Sequence, residues 1–355
     1  MKFNQLKYAG LVAIQLASSI VSAAVVDKRN DLWDAINSLK LIGHPENDFG
    51  CKSTVHTNPV IIIHALLSNP DVDLNLFQED LKSKGYCTFT TIYGNHKHLA
   101  PWIGGLTSMR ESSQTLSDFI IEVTQKTGAS KVDLVGHSEG GVMALYVPMT
   151  HLEAAAKVER VISLGPAVHG ALYYGLTNLW YKNGDVSRET ASAVLHFLGC
   201  AACDDMATGG EIYNDFKNSK RIVPEGIKAT IIMSTKDTLV APDASRIEEV
   251  GVRNVMVQDS CPEDDVGHAG LAWDTGIWDI IRNELNEDYG GKSVNYRAVA
   301  YWIMSKNEEH TNDMKAKLDN VPITNGTEFD SAFGKAFKPT VQYEDDPRDA
   351  HTDYR

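Results

Sequence analysis

The chain has 355 residues, with 47 acidic and 33 basic side chains and a formal net charge of −14 at pH 7. An acidic balance of this size argues against nucleic acid and anionic membrane surfaces as binding partners. The length is sufficient for one large domain with an appendage, and a domain of that size buries a substantial core.

The N-terminal residues have the pattern of a secretory signal peptide. A basic start is followed by an apolar run over residues 9–20 and then by small residues. The apolar run is too short to span a bilayer, so stable membrane insertion is not expected. We expect residues 1–23 to be a signal peptide, residues 24–29 to be a propeptide that ends at Lys28–Arg29, and the mature protein to be extracellular.

Strands and helices alternate through the middle of the chain. Consecutive apolar residues, as in the run PVIIIH at 59–64, are typical of strands that are covered on both faces of a parallel sheet. The alternation predicts the α/β class, with a mostly parallel, doubly wound sheet and right-handed crossovers. The predicted strands cover residues 59–64, 88–92, 131–135, 158–164, 229–234 and 254–258. The predicted helices cover residues 75–84, 108–128 with a capping box at Ser108 and Glu111, a segment from 142 that Pro148 ends, and 277–285.

Two segments depart from this alternation. Residues 167–215 contain no predicted strand, and a segment of that length is best explained as a helical cap or lid over the sheet edge. Beyond the α/β domain at 30–287, residues 288–355 form a C-terminal extension whose last part is acidic and nearly free of aliphatic side chains. We expect that tail to be disordered.

The run GHSEGG at 136–141 is the strongest chemical signal. It follows an apolar strand and precedes a helix, which is the context that the G-x-S-x-G turn requires to present a serine hydroxyl. The glycines at 136 and 140 are expected because a β-carbon would crowd so tight a turn. We therefore predict Ser138 to be a nucleophile.

A serine nucleophile needs a base, and the base needs a group that orients it. In sheet hydrolases the chain order is serine, acid, histidine, each on a loop just past a strand. Asp237 and His268 follow the last two predicted strands in that order, so we predict them as acid and base. His169 is the strongest rival base, and Asp264 and Asp265 are alternative acids.

The oxyanion of the tetrahedral intermediate needs two N–H donors. We predict them to be the backbone amide of Glu139, just after the nucleophile, and a backbone amide near Leu66 in the loop after the first strand. The chemistry requires no metal and no cofactor.

Five cysteines in a secreted chain indicate disulfides and one thiol left over. Bridging Cys51 and Cys87 would close a loop worth about 4 kcal/mol in the chain-entropy account. Cys200 and Cys203 lack the partners of a zinc site, and we expect one of them, assigned as Cys203, to pair with Cys261. The sequon at Asn325 predicts a glycan.

Together these motifs resemble the secreted class 2 lipases of the α/β-hydrolase superfamily, found in actinobacteria and fungi. The resemblance covers about residues 51–285, including NPVIIIH, GASKVDLVGHSEGG, TIIMSTKDTLVAP and NVMVQDSCPEDDVGHAGLAWD. It implies an α/β-hydrolase fold, a Ser138–Asp237–His268 triad, a Cys51–Cys87 disulfide, and an acyl pocket bordered by the region after Gly170.

We expect a monomeric lipase or carboxylesterase that acts on ester or lipid substrates through an acyl-enzyme, with contact to a lipid interface. The alternatives are acyl transfer, hydrolysis of a polyester or lactone on the same triad, and a catalytically silent lipid-binding protein.

Two departures from the pattern of these lipases bear on activity. His64–Ala65 replaces the usual His-Gly before the oxyanion loop, and Glu139 replaces the usual glutamine after the nucleophile. An ionised Glu139 would oppose the oxyanion unless it turned away, paired with a cation or were protonated, so we expect activity that is modest or tuned to acidic pH.

Overall fold

The computed structural model describes residues 44–98, 100–170 and 185–287. The chain divides into two units, Met1–Glu287 and Asp288–Arg355, and all described residues lie in the first. The predicted signal peptide at 1–23, the propeptide at 24–29, the sequon at Asn325, the extension at 288–355 and residues 171–184 of the predicted cap lie outside the described residues.

Six strands form one sheet in which every neighbouring pair is parallel. The strand order is β2-β1-β3-β4-β5-β6, so the predicted parallel, doubly wound α/β architecture is confirmed. The strands are β1 (Val60–Ile63), β2 (Thr88–Thr90), β3 (Val132–His137), β4 (Val158–Leu164), β5 (Lys228–Met233) and β6 (Val252–Met256).

The apolar runs form strands because the sheet is covered on both faces. Along β1, Ile61 and Ile63 pack into one hydrophobic cluster, whereas Val60 and Ile62 pack into the other. All four side chains are at most 3% exposed. Successive strand side chains point to opposite faces, so a strand buried on both sides needs an apolar residue at every position.

Helices cover the two faces, and those that begin at Asn75, Met109, Glu139 and Thr275 lie where the sequence predicted helices. The helices are α1 (Asn75–Ser83), α2 (Met109–Thr127), α3 (Glu139–Thr150), α4 (Leu152–Ala155), α5 (Asp185–Phe197), α6 (Ala201–Asp205), α7 (Glu211–Asn218), α8 (Pro242–Ser245), α9 (Val257–Ser260) and α10 (Thr275–Asn286), with a 3₁₀ turn at Ala269–Ala272. In the part of the chain that the structure describes, none of these helices combines the length and apolarity needed to cross a bilayer.

Two helix boundaries differ from the prediction. Pro148 does not end α3 but lies inside its last turn, where the helix continues through a bond from His151 N to Val147 O. Ser108 is the N-cap of α2, yet its side chain makes no capping hydrogen bond. The carboxylate of Asp205 accepts from Met109 N at 2.8 Å instead, so a residue distant in sequence satisfies this helix end.

The cysteine pairing also differs from the prediction. Cys51 and Cys87 form a disulfide, as the resemblance implies. The expected Cys203–Cys261 bridge is wrong, because Cys203 is bonded to Cys200. Cys200 is the N-cap of α6, and this turn of chain brings the two Cα atoms within 5.3 Å, a separation at which a disulfide closes locally.

The strand order fixes where a ligand crevice lies. From β1 the chain proceeds outward to β2, and then it returns to the other side of β1 to form β3. The loops that follow β1 and β3 therefore diverge at the carboxyl edge of the sheet. In open α/β sheets this switch point is the usual binding crevice, and it lies between the loop that contains Leu66 and the turn at Ser138.

Candidate active site

Ser138 occupies the sharp turn between β3 and α3. Its backbone has φ 54° and ψ −119°, a conformation that non-glycine residues rarely adopt. A β-carbon at Gly136 would collide with the carbonyl of Gly140, and one at Gly140 would collide with the carbonyl of Ile63. The two glycines thus allow the close approach that raises the serine above the sheet edge.

Asp237, His268 and Ser138 form a continuous chain of hydrogen bonds. His268 Nδ1 lies 2.6 Å from Asp237 Oδ2, and His268 Nε2 lies 2.8 Å from Ser138 Oγ. Because a carboxylate only accepts hydrogen bonds, the imidazole carries its proton on Nδ1 and leaves Nε2 to accept from the serine hydroxyl. Both Asp237 and His268 are buried.

Backbone groups hold this arrangement in place. The other carboxylate oxygen of Asp237 accepts from Leu239 N at 2.9 Å and from Val240 N at 2.8 Å. Gly165, which follows β4 with φ 54°, leaves space for the pair: a β-carbon there would lie 3.2 Å from Asp237 Oδ2 and 3.3 Å from His268 Cε1.

The rival residues lie elsewhere in the structure. His169 Nε2 is bound to the carbonyl of Arg246 at 2.8 Å. Asp264 accepts from Val266 N within its own turn, and Asp265 pairs with Lys236 at 3.3 Å. In the described residues, no group of three or more His, Cys, Asp or Glu side chains could hold a metal ion.

The loop after β1 carries the predicted second oxyanion donor. Ala65 does not have a positive φ; the left-handed residue of this loop is Leu67, with φ 56°. The loop is anchored at Ala65, whose N–H donates to Asp73 Oδ2 at 2.9 Å. The His64 ring stacks on Tyr93 with centroids 4.4 Å apart, and Nδ1 donates to the carbonyl of Ala65. Burial lowers the pKa of His64 to about 4, so this ring is neutral near pH 7.

The Glu139 carboxyl group is buried beneath this loop. The residue is 0% exposed, and neither carboxyl oxygen has a hydrogen-bond partner among the described residues. Burial, and then the charge of Asp205, raises the pKa of Glu139 well above its usual range. Of the three ways in which Glu139 could avoid opposing an oxyanion, protonation is the one that this environment favours.

Two further residues at this edge were not singled out from the sequence. Asp73 precedes α1, and His137 is the last residue of β3. His137 Nδ1 lies 2.8 Å from Asp73 Oδ1, and the pair lies between the oxyanion loop and the His268 loop. The only local signal was the position of His137 directly before the nucleophile. Asp73 has no sequence signal, because its partners lie up to 200 residues away.

Comparison with known proteins agrees with this architecture. Residues 57–172 match the family model "Lipase (class 2)". The propeptide form of the lipase BlEst2 from Bacillus licheniformis aligns with a TM-score of 0.50 and 19% identity, over 69% of this chain and 52% of that one. The mature form of BlEst2 aligns with a TM-score of 0.49 and 19% identity, over 68% of this chain and 96% of that one. Lipase B from Aspergillus fumigatus aligns with a TM-score of 0.49 and 16% identity, over 70% of this chain and 57% of that one.

The two kinds of similarity carry different conclusions. At identities below 25% the solved structures bear on the fold alone, and the alignment at a TM-score of 0.50 is consistent with the parallel, doubly wound sheet described above. The family match covers β1, the Ser138 turn and β4, whereas Asp237 and His268 lie beyond the matched residues. Residues 57–172 are therefore similar to the class 2 lipases, and this similarity supports a carboxylic ester hydrolase.

Proposed function

We propose that the protein hydrolyses carboxylic esters of lipids outside the cell through an acyl-enzyme formed on Ser138. The observation that carries the proposal is the unbroken Asp237–His268–Ser138 chain of hydrogen bonds at the switch point of the sheet. A serine hydroxyl becomes an effective nucleophile when an oriented base within hydrogen-bond reach removes its proton.

The first half of the reaction acylates the serine. Ser138 Oγ attacks the ester carbonyl carbon while its proton passes to His268 Nε2, and the carbonyl electron pair moves to the oxygen. Asp237 keeps Nδ1 protonated and stabilises the imidazolium that forms. The C–O bond to the alcohol then breaks, and the alcohol leaves with the proton from Nε2.

The second half regenerates the enzyme. Water gives a proton to His268 Nε2 and attacks the acyl carbon, and the resulting tetrahedral species releases the carboxylic acid as Ser138 takes the proton back. The backbone N–H groups of Glu139 and Leu66 are the proposed donors to the oxyanion in both halves. The contact of both residues with Gly105 supports this assignment, since it holds the loop and the nucleophile turn side by side.

A lipid substrate is supported by the family match and by the surroundings of the oxyanion loop. Aliphatic side chains from three segments pack together beside the loop and offer an apolar wall to an acyl chain. They are Leu66, Leu67, Ile103, Leu106, Leu195 and Leu198. Secretion is supported by the signal-like residues 1–23 and by the two disulfides, which persist in oxidising compartments.

The test is hydrolysis of p-nitrophenyl esters from acetate to palmitate, with Ser138→Ala as the matched control. We expect the parent to cleave these esters and the variant to lose at least about a thousandfold in kcat/KM. The chain-length optimum separates a lipase from a short-chain esterase. Product analysis with added alcohol would reveal acyl transfer, and binding of fatty acid without turnover of any ester would favour a silent lipid-binding protein.

A further inference from the structure

A buried carboxylate–imidazole pair, separate from the catalytic one, links the loops that carry the reacting groups. Asp73 Oδ2 accepts from Ala65 N at 2.9 Å, next to the proposed oxyanion donor Leu66. Asp73 Oδ1 lies 2.8 Å from His137 Nδ1, and both side chains are at most 6% exposed. His137 directly precedes the nucleophile.

The same pair reaches the loop of the catalytic base. His137 Nε2–H donates to the backbone carbonyl of His268 at 2.9 Å, and the two imidazole rings are 5.2 Å apart. Trp273, at the end of the 3₁₀ turn after His268, donates its indole N–H to the backbone carbonyl of Asp73 at 2.8 Å. The oxyanion loop, the serine turn and the histidine loop are thus joined through two side chains.

The bonding partners dictate how many protons the pair holds. The carbonyl of His268 accepts hydrogen bonds but cannot donate one, so Nε2 must carry a proton. The contact between Nδ1 and Oδ1 at 2.8 Å requires a second proton between these two atoms. The pair therefore holds two protons, as an imidazolium beside a carboxylate or as their tautomer, and it is neutral overall.

We propose that Asp73 and His137 are positioning residues that hold the oxyanion loop and the His268 loop in register with Ser138. A displacement of about 1 Å in a reacting group can lower the rate about a hundredfold, so such a link affects turnover more than substrate binding. This inference rests on the function proposed above.

The electrostatic surroundings favour the doubly protonated pair at neutral pH. Burial is the largest influence on His137 and lowers its pKa. The charge and hydrogen bond of Asp73, the carbonyl of His268 and the charge of Asp237 together outweigh burial, and the net result is a raised pKa. The proton on Nδ1 is consequently retained at pH values at which an ordinary histidine has begun to lose its second ring proton.

The chain contains a matched control at the other end of the same strand. His56 Nε2 lies 2.7 Å from Asp133 Oδ2, and these side chains are also buried, at 7% and 0% exposed. Asp133 is the second residue of β3 and His137 is its last, so the two pairs are about 13 Å apart along the strand. His137→Asn and His56→Asn therefore make the same change to a buried pair, near the site in one case and far from it in the other.

The experiment compares these two variants with the parent on a soluble p-nitrophenyl ester, well below the melting temperature of each protein. We expect His137→Asn to lower kcat about 10- to 100-fold with KM changed by less than about threefold. Inhibition by phenylboronic acid, which forms an anionic tetrahedral adduct with an active serine, should weaken in parallel with kcat. His56→Asn should lower the melting temperature and leave kcat within about twofold of the parent.

Equal kcat values for the two histidine variants would overturn the proposal. If His137→Asn does not fold, Asp73→Asn, which keeps an acceptor for Ala65 N, provides the same comparison. Nitrogen NMR of histidine-labelled parent protein should show a ring with both nitrogens protonated at about pH 7.5, absent from the His137→Asn spectrum, and a singly protonated His137 would contradict the pair. This readout does not depend on ester turnover, so it separates failure of the pair from failure of the proposed function.

Discussion

The carboxyl group of Glu139 packs directly against Gly105, and no space remains there for a β-carbon. A Cβ atom at Gly105 would collide with Glu139 Oε2 and would lie 2.9 Å from the Cα of Leu66. Gly105 also has φ 68°, a conformation that strains any residue with a side chain. One glycine thus keeps an acidic side chain and the oxyanion loop in contact.

Gly105→Ala should therefore displace the oxyanion loop. We expect kcat to fall about 10- to 100-fold, because the proposed donor at Leu66 moves relative to Ser138. The matched control is Gly128→Ala, since Gly128 has φ 75° but a Cβ atom there would meet nothing within 4 Å. That control should lose about 1 kcal/mol of stability from backbone strain and keep its kcat. Equal kcat values for the two variants would contradict the assignment of the loop.

Glu139→Gln should change how stability depends on pH. The raised pKa keeps Glu139 protonated in the folded protein, whereas the unfolded chain ionises near pH 4.3. Above that pH the unfolded state binds fewer protons than the folded state, so this residue makes the parent less stable as pH rises. The melting temperature of Glu139→Gln should accordingly rise relative to that of the parent as the pH is increased above about 4. The limiting slope is about 1.4 kcal/mol per pH unit.

The same substitution tests the expected acidic tuning of activity. If ionisation of Glu139 opposes the oxyanion, the parent should lose kcat at alkaline pH and Glu139→Gln should retain it. Superimposable pH profiles of kcat would contradict the acidic tuning, and a stability difference that does not vary with pH would contradict the raised pKa of Glu139.

Asp237→Asn should lower kcat about ten-thousandfold while the protein stays folded. The amide cannot enforce a proton on His268 Nδ1, so the imidazole loses the tautomer that accepts from Ser138. Asp265→Asn is the control, because Asp265 was an alternative acid and is paired with Lys236. A large loss of kcat in the control, with little loss in Asp237→Asn, would reassign the acid. Steady-state kinetics on a short-chain ester measures both.

The two disulfides should differ in their contribution to stability. Removing Cys51 and Cys87 by substitution with alanine opens a loop of 36 residues, worth about 4 kcal/mol in the chain-entropy account. Removing Cys200 and Cys203 opens a loop of 3 residues, worth about 2 kcal/mol. Urea unfolding of both double variants gives the two values. Peptide mapping without reduction checks the pairing, and a peptide that links Cys261 to either residue would contradict it.

The sequence by itself determined the sheet, the order of its elements and three candidate residues for the chemistry. These features have local signals: apolar runs such as that of β1, and Ser138, Asp237 and His268 each just past a predicted strand. The structure brings these same three residues together, because parallel strands place all their carboxyl ends at one edge of the sheet.

Only the tertiary structure decided the features that depend on distant partners. Ser108 has a capping sequence, but Asp205 satisfies that helix end. Cys203 closed with its near neighbour and not with Cys261, since three-dimensional separation governs pairing. The burial of Glu139 and the contacts of Asp73 arise where several loops meet. Local periodicity reports which face of an element is buried, but it does not report which side chains from other loops complete a polar group's hydrogen bonds.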